Sequence, residues 1–438
     1  MRYDIGIIGA GPGGYTAALA AAERGLSVVL FEEKQVGGTC LNRGCIPTKS
    51  LLHSVKQFGQ IQKEVSDYPF PKEKVLAKKE ETVARLRGDV EKLLKSKKVK
   101  LVNAHAYLLE HHTIVASNEQ YEVEHVILAS GSKVSLPPIE GVDSPYVMTS
   151  DDLLEKSDLN FSSVTIIGGG VIGVECASIF LSMNLPVTIL EIADHILPTM
   201  DAEIAQRLNL SLKKKGAQIV TKVSISRIDA NTVYYKDKAG KECSITSDMI
   251  LVAAGRKANI CNLVNPSLAL EIKRGIVGDA AGMTNISNIF VIGDAKNRNI
   301  QLAHVAEAQG RNAVSYICDK TLIKDMSVIP SCVYTDPEIA SVGCTQKEAE
   351  EAGLTVHTRK TLTGANGKSV IEEAESGYVK VVLDEEDTIL GAQMVCPHAT
   401  ELISEFAILV QKKMKLSDLR EVVFPHPTVS EMISSLCE

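Results

Sequence analysis

A strand-like apolar run that turns through Gly-x-Gly-x-x-Gly into a helix-forming stretch occurs twice in this sequence. IGIIGAGPGG (residues 5–14) carries Gly9, Gly11 and Gly14, and VTIIGGGVIG (residues 164–173) carries Gly168, Gly170 and Gly173. Each is followed by a helix-forming segment, YTAALAAAERG or VECASIFLSMN, and then by a second β-rich run, SVVLFE or PVTILE. Both second runs end on an acid, Glu32 and Glu191, 18 residues beyond the third glycine in each case. A lone glycine motif constrains little; strand, turn, helix and acid in this order demand a Rossmann-like βαβ unit. The first glycine permits the tight turn, the second lets backbone approach a pyrophosphate, and the third lets the helix pack on the strand. The helix N-terminus meets phosphates with free N–H groups and its dipole. The acid accepts hydrogen bonds from a ribose diol. Two such units predict two bound dinucleotides.

The rest of the chain arranges itself around them. Residues 72–100 place Leu76, Val83, Leu86, Val90 and Leu93 at helical spacing, with lysines and glutamates interleaved on what reads as a solvated face. EHVILASGSKVSLPPIEG (124–141) is a buried strand with a Pro-rich exit, where Pro137, Pro138 and Gly141 mark a domain crossing. MILVAAGRKAN (249–259) closes the second nucleotide unit, and SNIFVIGDA (287–295) is a further apolar strand. From about residue 326, short β-rich runs (SCVY, YVKVVLD, ILGAQMV) and two helices (ATELISEFAILVQKKM, PTVSEMISSL) predict a third, α+β unit.

Composition excludes several classes of function. A net charge of −7 argues against nucleic-acid binding. The apolar runs are too short and glycine-rich to span a bilayer, and the N-terminal residues carry no secretory or transit pattern, so a cytoplasmic location is expected. Ten cysteines in 438 residues are too dilute for a disulfide scaffold. Eight are scattered without metal-ligand spacing and read as incidental thiols. Cys40 and Cys45, in GGTCLNRGCIPTKSLL (37–52), form the one constellation.

Pro47 suits a first helical turn, which puts Cys45 at a helix N-terminus, where the dipole lowers a thiol pKa. Cys40, one loop turn away, is the candidate for attack on an external disulfide, since such a pair can exchange by thiolate attack. A structural disulfide or half a zinc site are the bland alternatives, and no second ligand pair stands at zinc spacing. Near the C-terminus FPHPTVSEMI sets His426 five residues before Glu431, an arrangement suited to a general acid–base held by a carboxylate, with a helix expected from Pro427 and Thr428.

GGTCLNRGCIPTK, the doubled glycine units, IFVIGD, IPSCVYTDPEIASVG and HPTVSE together resemble the flavoprotein disulfide reductases of the dihydrolipoamide dehydrogenase type, in order and over essentially the whole chain. The resemblance implies an α/β fold with two Rossmann-like domains and a C-terminal α+β dimerisation domain. The expected divisions are 1–142 with 264–325 for FAD, 143–263 for NAD, and 326–438 for the interface. It implies FAD on Gly9, Gly11, Gly14 and Glu32, with Gly131, Asp294, Ala303 and Lys49 closing over it. It implies NAD on Gly168, Gly170, Gly173, Glu191 and Gly255. In such homodimers His426 and Glu431 act on the Cys40–Cys45 pair of the other subunit, and Lys49 and Glu175 form an ion pair beside the flavin.

Residues 191–198, EIADHILP, hold an acid and no arginine or lysine to meet a 2′-phosphate, which points to NAD over NADP. The expected activity is NAD-dependent oxidation of protein-bound dihydrolipoyl groups, as a dihydrolipoyl dehydrogenase does. The partners implied are lipoyl domains of a 2-oxoacid dehydrogenase complex or a glycine-cleavage carrier, with no nucleic acid, membrane or metal. Reduction of another low-molecular-weight disulfide, or redox sensing without turnover, are the alternatives. Phe424 departs from the family, whose members often carry a second histidine at that position.

Overall fold

The computed structural model describes residues 2–65 and 68–437. Its first sheet is parallel at its centre, in the order Lys100–Asn103, Val28–Glu32, Arg2–Ile8, Glu119–Leu128. Register is set by apolar residues buried from both faces: Ile5 stands beside Val28 and Ile7 beside Leu30. Burial of each such side chain stabilises the sheet by about 1.5–3 kcal/mol. A short antiparallel hairpin, Ala106–Glu110 with Thr113–Ala116, extends the free edge of Glu119–Leu128. Further along that same edge lies Ile289–Val291, paired in parallel with Val126, Ile127 and Leu128. The first sheet is therefore completed only after the chain has left it and returned.

In between, a second parallel sheet runs Gln218–Thr221, Val187–Glu191, Val164–Ile167, Met249–Val252, Val147–Thr149. A three-stranded antiparallel sheet, Ser224–Asp229, Thr232–Lys236 and Glu242–Thr246, is attached to it. The two chain crossings meet in a two-stranded ribbon of Ser132–Val134 against Arg256–Ala258.

The C-terminal unit is a five-stranded antiparallel sheet covered by the helix Ala399–Gln411, with Phe406, Met394 and Val381 in its core. Two of its strands, Ile339–Gly343 and Val356–Leu362, lie outside the β-rich runs seen in the sequence. Val356–Leu362 is an edge strand with exposed polar residues, so it lacks the apolar signal of its neighbours.

Three local expectations are corrected. The helix Lys72–Ser96 buries Leu94, while Leu93 is 44% exposed. Lys79, read with the solvated face, is buried: its ammonium donates to the carbonyls of Leu154 (2.8 Å) and Lys156 (2.9 Å) and pairs with Glu80. These carbonyls, at the end of the helix Ser150–Glu155, lack helical partners, and a lysine from a neighbouring helix satisfies them. Near the C-terminus the helix begins at Glu431, not at Pro427.

Candidate functional site

The two glycine turns are built alike. Gly9 and Gly168 adopt φ of +104° and +109°, the left-handed region that disfavours side chains. A Cβ on Gly14 would stand 1.8 Å from the Gly9 carbonyl oxygen, and one on Gly173 would stand 2.0 Å from that of Gly168. No side chain fits at either position. The helices Pro12–Glu23 and Val171–Ser182 follow at once, their first turns aimed at the cleft. Glu32 accepts from the N–H groups of Ala10 (2.8 Å) and Lys34 (3.0 Å); Glu191 accepts from those of Gly169 (2.5 Å) and Ala193 (2.7 Å). The acid is thus held beside each turn by backbone donors.

Both turns open into one cleft of about 1830 Å³. Pockets for a single small ligand span about 300–1,000 Å³, so this cleft suits two dinucleotides. Gly9, Gly11, Glu32, Gly131, Asp294, Ala303, Gly168, Gly170, Glu191 and Gly255 line it, together with Cys40, Cys45, Lys49 and Glu175. The Ser130 hydroxyl beside the first turn is buried with no partner among the described residues, a donor left for a bound group. Gly14 and Gly173 lie behind the turns, where they permit the close approach of helix to strand.

The thiols sit on two short-range helical elements rather than on a loop. Cys40 belongs to Gly38–Arg43, and Cys45 is the first residue of Cys45–Glu64. The glycine pair before them has a packing reason: a Cβ on Gly38 would lie 2.7 Å from the Cα of Gly11. The thiol segment therefore lies directly on the first nucleotide turn. Both thiols are half-buried. The Cys45 thiol is lowered to about 7, first by a hydrogen bond from Cys40, with the Lys49 ammonium adding to it against the opposing effect of burial. The Cys40 thiol is pushed far up, because it gives its proton to that bond and is itself buried. One proton is shared unequally, and the thiolate falls on Cys45.

Lys49 follows Cys45 by one helical turn and reaches Glu175 of the second nucleotide unit, at 2.8 and 3.0 Å to the two carboxylate oxygens. Glu175 also accepts the Tyr334 N–H at 3.0 Å, and Lys49 stands 4.5 Å from the centre of the Tyr334 ring, within cation–π range. One ion pair thus joins all three units of the chain. The sequence reading missed Tyr334, which stands unmarked inside IPSCVYTDPEIASVG. It also missed Ser132, whose hydroxyl donates to Asp294 at 2.6 Å. Burial raises the Asp294 carboxyl above its ordinary range, against the opposing effect of this bond and of Arg256.

His426 and Glu431 are brought together but stand apart from the cleft. His426 Nδ1 lies 2.8 Å from Glu431 Oε1, and Glu431 Oε2 accepts the Thr428 N–H at 2.8 Å. Those two contacts hold the Glu431 carboxyl below its ordinary value, the Thr428 bond first. The His426 side chain is 78% exposed and is not among the residues lining the cleft. The imidazole is oriented by its carboxylate, and Nε2 is left pointing away from it. Among the described residues there is no cluster of ligands able to hold a metal, and no helix is long and apolar enough to cross a membrane.

Comparison with known proteins places this geometry. Residues 3–310 match the family described as pyridine nucleotide-disulphide oxidoreductase, and residues 329–437 match the dimerisation domain of the same description. A dihydrolipoyl dehydrogenase of Mycoplasma pneumoniae is 33% identical over 453 residues, covering 100% of this chain and 98% of that protein. One from Bacillus subtilis is 34% identical over 459 residues, covering 99% and 96%. Among solved structures, the HOCl-induced flavoprotein disulfide reductase RclA from Escherichia coli superposes with a TM-score of 0.90 at 27% identity, over 99% of each chain.

Proposed function

The chain belongs to the pyridine nucleotide-disulphide oxidoreductases, enzymes that use FAD and NAD, and from that premise we propose that it oxidises protein-bound dihydrolipoyl groups with NAD⁺. The dimerisation domain implies a homodimer. The observation that carries the reading is the Cys40–Cys45 pair, with its acidic thiol next to the Lys49–Glu175 ion pair in a cleft that both glycine turns line. Full-length likeness to dihydrolipoyl dehydrogenases supports the choice of substrate.

The cradle of Gly9, Gly11, Gly14 and Glu32, closed by Gly131, Asp294, Ala303 and Lys49, would hold FAD. Gly168, Gly170, Gly173, Glu191 and Gly255 would hold NAD. His426 of one subunit takes a proton from the substrate thiol, Glu431 holding the imidazole that gains it. The substrate thiolate attacks the Cys40 sulfur of the Cys40–Cys45 disulfide, and Cys45 leaves as the thiolate that Lys49 favours. The second substrate thiol attacks the mixed disulfide, releasing the oxidised lipoyl ring and leaving Cys40 to take a proton. FAD supplies the route by which the dithiol's electron pair reaches NAD⁺ as hydride. The His426–Glu431 pair supports action across the dimer, because His426 is exposed and does not line the cleft of its own chain.

The test is NADH formation from free dihydrolipoamide, beside a panel of glutathione disulfide and coenzyme A disulfide as electron acceptors. Turnover with dihydrolipoamide well above the others is expected, and no turnover with it would overturn the reading. The structural likeness to RclA favours a second reading, NAD-linked reduction of another disulfide. Preference for a different disulfide in the same panel would select it.

A further inference from the structure

Arg256 has no part in the scheme above, yet it is among the most fully bonded side chains of the cleft. Its side chain is 12% exposed. Nε donates to the Ser132 hydroxyl at 2.9 Å, Nη2 to the Ser132 carbonyl at 3.1 Å, and Nη1 to Asp151 Oδ1 at 2.8 Å. Nη2 also approaches the hydroxyl of Thr39, the neighbour of Cys40, at 3.5 Å. Ser132 passes the contact on, donating to Asp294. Asp151 receives a second guanidinium: Arg43, which ends the helix that bears Cys40, has Nε 3.7 Å from Asp151 and Nη1 2.9 Å from Glu155.

These partners come from separate stretches of chain. Ser132 and Arg256 lie on the ribbon where the chain crosses between its two parallel sheets, Asp151 lies in the first turn of the helix Ser150–Glu155, and Thr39 and Arg43 flank Cys40. Guanidinium is always charged and presents its donors in a fixed planar fork, so it can fix directions that a lysine point charge cannot. A buried ion pair adds little net stability against a well-packed apolar replacement, and its best-attested use is to specify one arrangement.

We infer that Arg256 is a positioning residue that holds the Cys40-bearing helix and the Asp294 carboxylate in one register across the domain crossing. The inference rests on the reading of Cys40–Cys45 and Asp294 as parts of one flavin site. Register matters there because a displacement of about 1 Å at a reacting centre costs about 10²-fold in rate. Among the described residues Arg256 bonds to none of Gly9, Gly11, Gly14 and Glu32 and reaches the proposed FAD cradle through Ser132 and Asp294, so most of the cradle is independent of it.

The experiment takes holoenzyme of the unaltered protein, Arg256→Met, Arg256→Lys and Ser132→Ala, and reduces each anaerobically with one equivalent of NADH. Two quantities are read: FAD per chain, and long-wavelength thiolate-to-flavin absorbance per bound FAD. The expected result is unchanged FAD content, with the absorbance per FAD falling by more than half in Arg256→Met and Ser132→Ala, and by less in Arg256→Lys. Absorbance per FAD at the unaltered level in the variants would overturn the inference. So would a loss of FAD that leaves the per-FAD absorbance intact, since that is a structural role alone. Should Arg256→Met fail to fold, Ser132→Ala, a smaller change, decides. Absence of the absorbance in the unaltered protein would instead sink the thiol–flavin reading, and the inference with it.

Discussion

Replacing Lys49 by methionine measures how the cleft sets its thiolate. Lys49 and Cys45 share one face of the helix Cys45–Glu64, and side chains so spaced have Cβ atoms about 5–6 Å apart. At an effective dielectric near 20, unit charges at that distance attract by about 3 kcal/mol. Part of this is cancelled by Glu175, which is 3% exposed and repels the same thiolate. Without Lys49 the carboxylate keeps, among the described residues, the hydrogen bond from the Tyr334 N–H. Removing Lys49 takes away its attraction for the thiolate, and the ratio of thiolate to thiol at any given pH falls by about tenfold or more. Glu175→Gln removes the repulsion alone and moves the ratio the other way.

The assay is a pH titration of the long-wavelength absorbance in the two-electron-reduced enzyme, checked by the pH dependence of iodoacetamide alkylation. The thiolate is present above its midpoint, about 7 in the unaltered protein, and is lost as pH falls through it. Lys49→Met shifts the midpoint up and Glu175→Gln shifts it down. An unmoved midpoint in Lys49→Met, or the same direction in both variants, refutes the reasoning.

Three further outcomes are expected. Turnover strongly favours NAD over NADP, and replacing Glu191 by glutamine weakens NAD binding and relaxes the preference; equal kcat/KM for both cofactors in the unaltered protein would contradict this. Cys45→Ser abolishes the long-wavelength band while Cys40→Ser shows it even before reduction, and the opposite pattern would exchange the two roles. His426→Gln slows thiol oxidation by about two to four orders of magnitude with cofactor content intact. Co-expression of His426→Gln with Cys45→Ser restores part of the activity, since each mixed dimer keeps one site with both groups; proven heterodimers without activity would place the base in the same chain.

The sequence reading reached furthest where chemistry is local. The glycine turns, their acids and the thiol block are each written in one short stretch, because backbone conformation and helix position decide what they do. The strand Ile289–Val291 was legible as a strand, but not its return to the first sheet. Arg256, Asp151, Ser132 and Tyr334 carried no signal of their own, since their partners are remote in the chain and only packing brings them together. Lys79 looked like one of many surface lysines because composition cannot reveal carbonyls left open at the end of another helix. His426 and Glu431 were legible as a pair through their spacing, but their exposed position is a property of the folded unit.

The late arrival of Ile289–Val291 bears on how the chain is made. When Val126, Ile127 and Leu128 leave the ribosome, the strand they must pair with on one side is about 160 residues from being synthesised, roughly 10–30 s at ordinary elongation rates. During that interval the second parallel sheet, whose strands lie between residues 147 and 252, can be completed on its own. The first sheet meanwhile presents an unpaired apolar edge, the kind of surface that recruits strands from other chains. Synthesis order thus makes the second nucleotide unit the earlier to mature, although its sequence begins later. A pause in translation between residues 128 and 289 would lengthen the exposure of that edge.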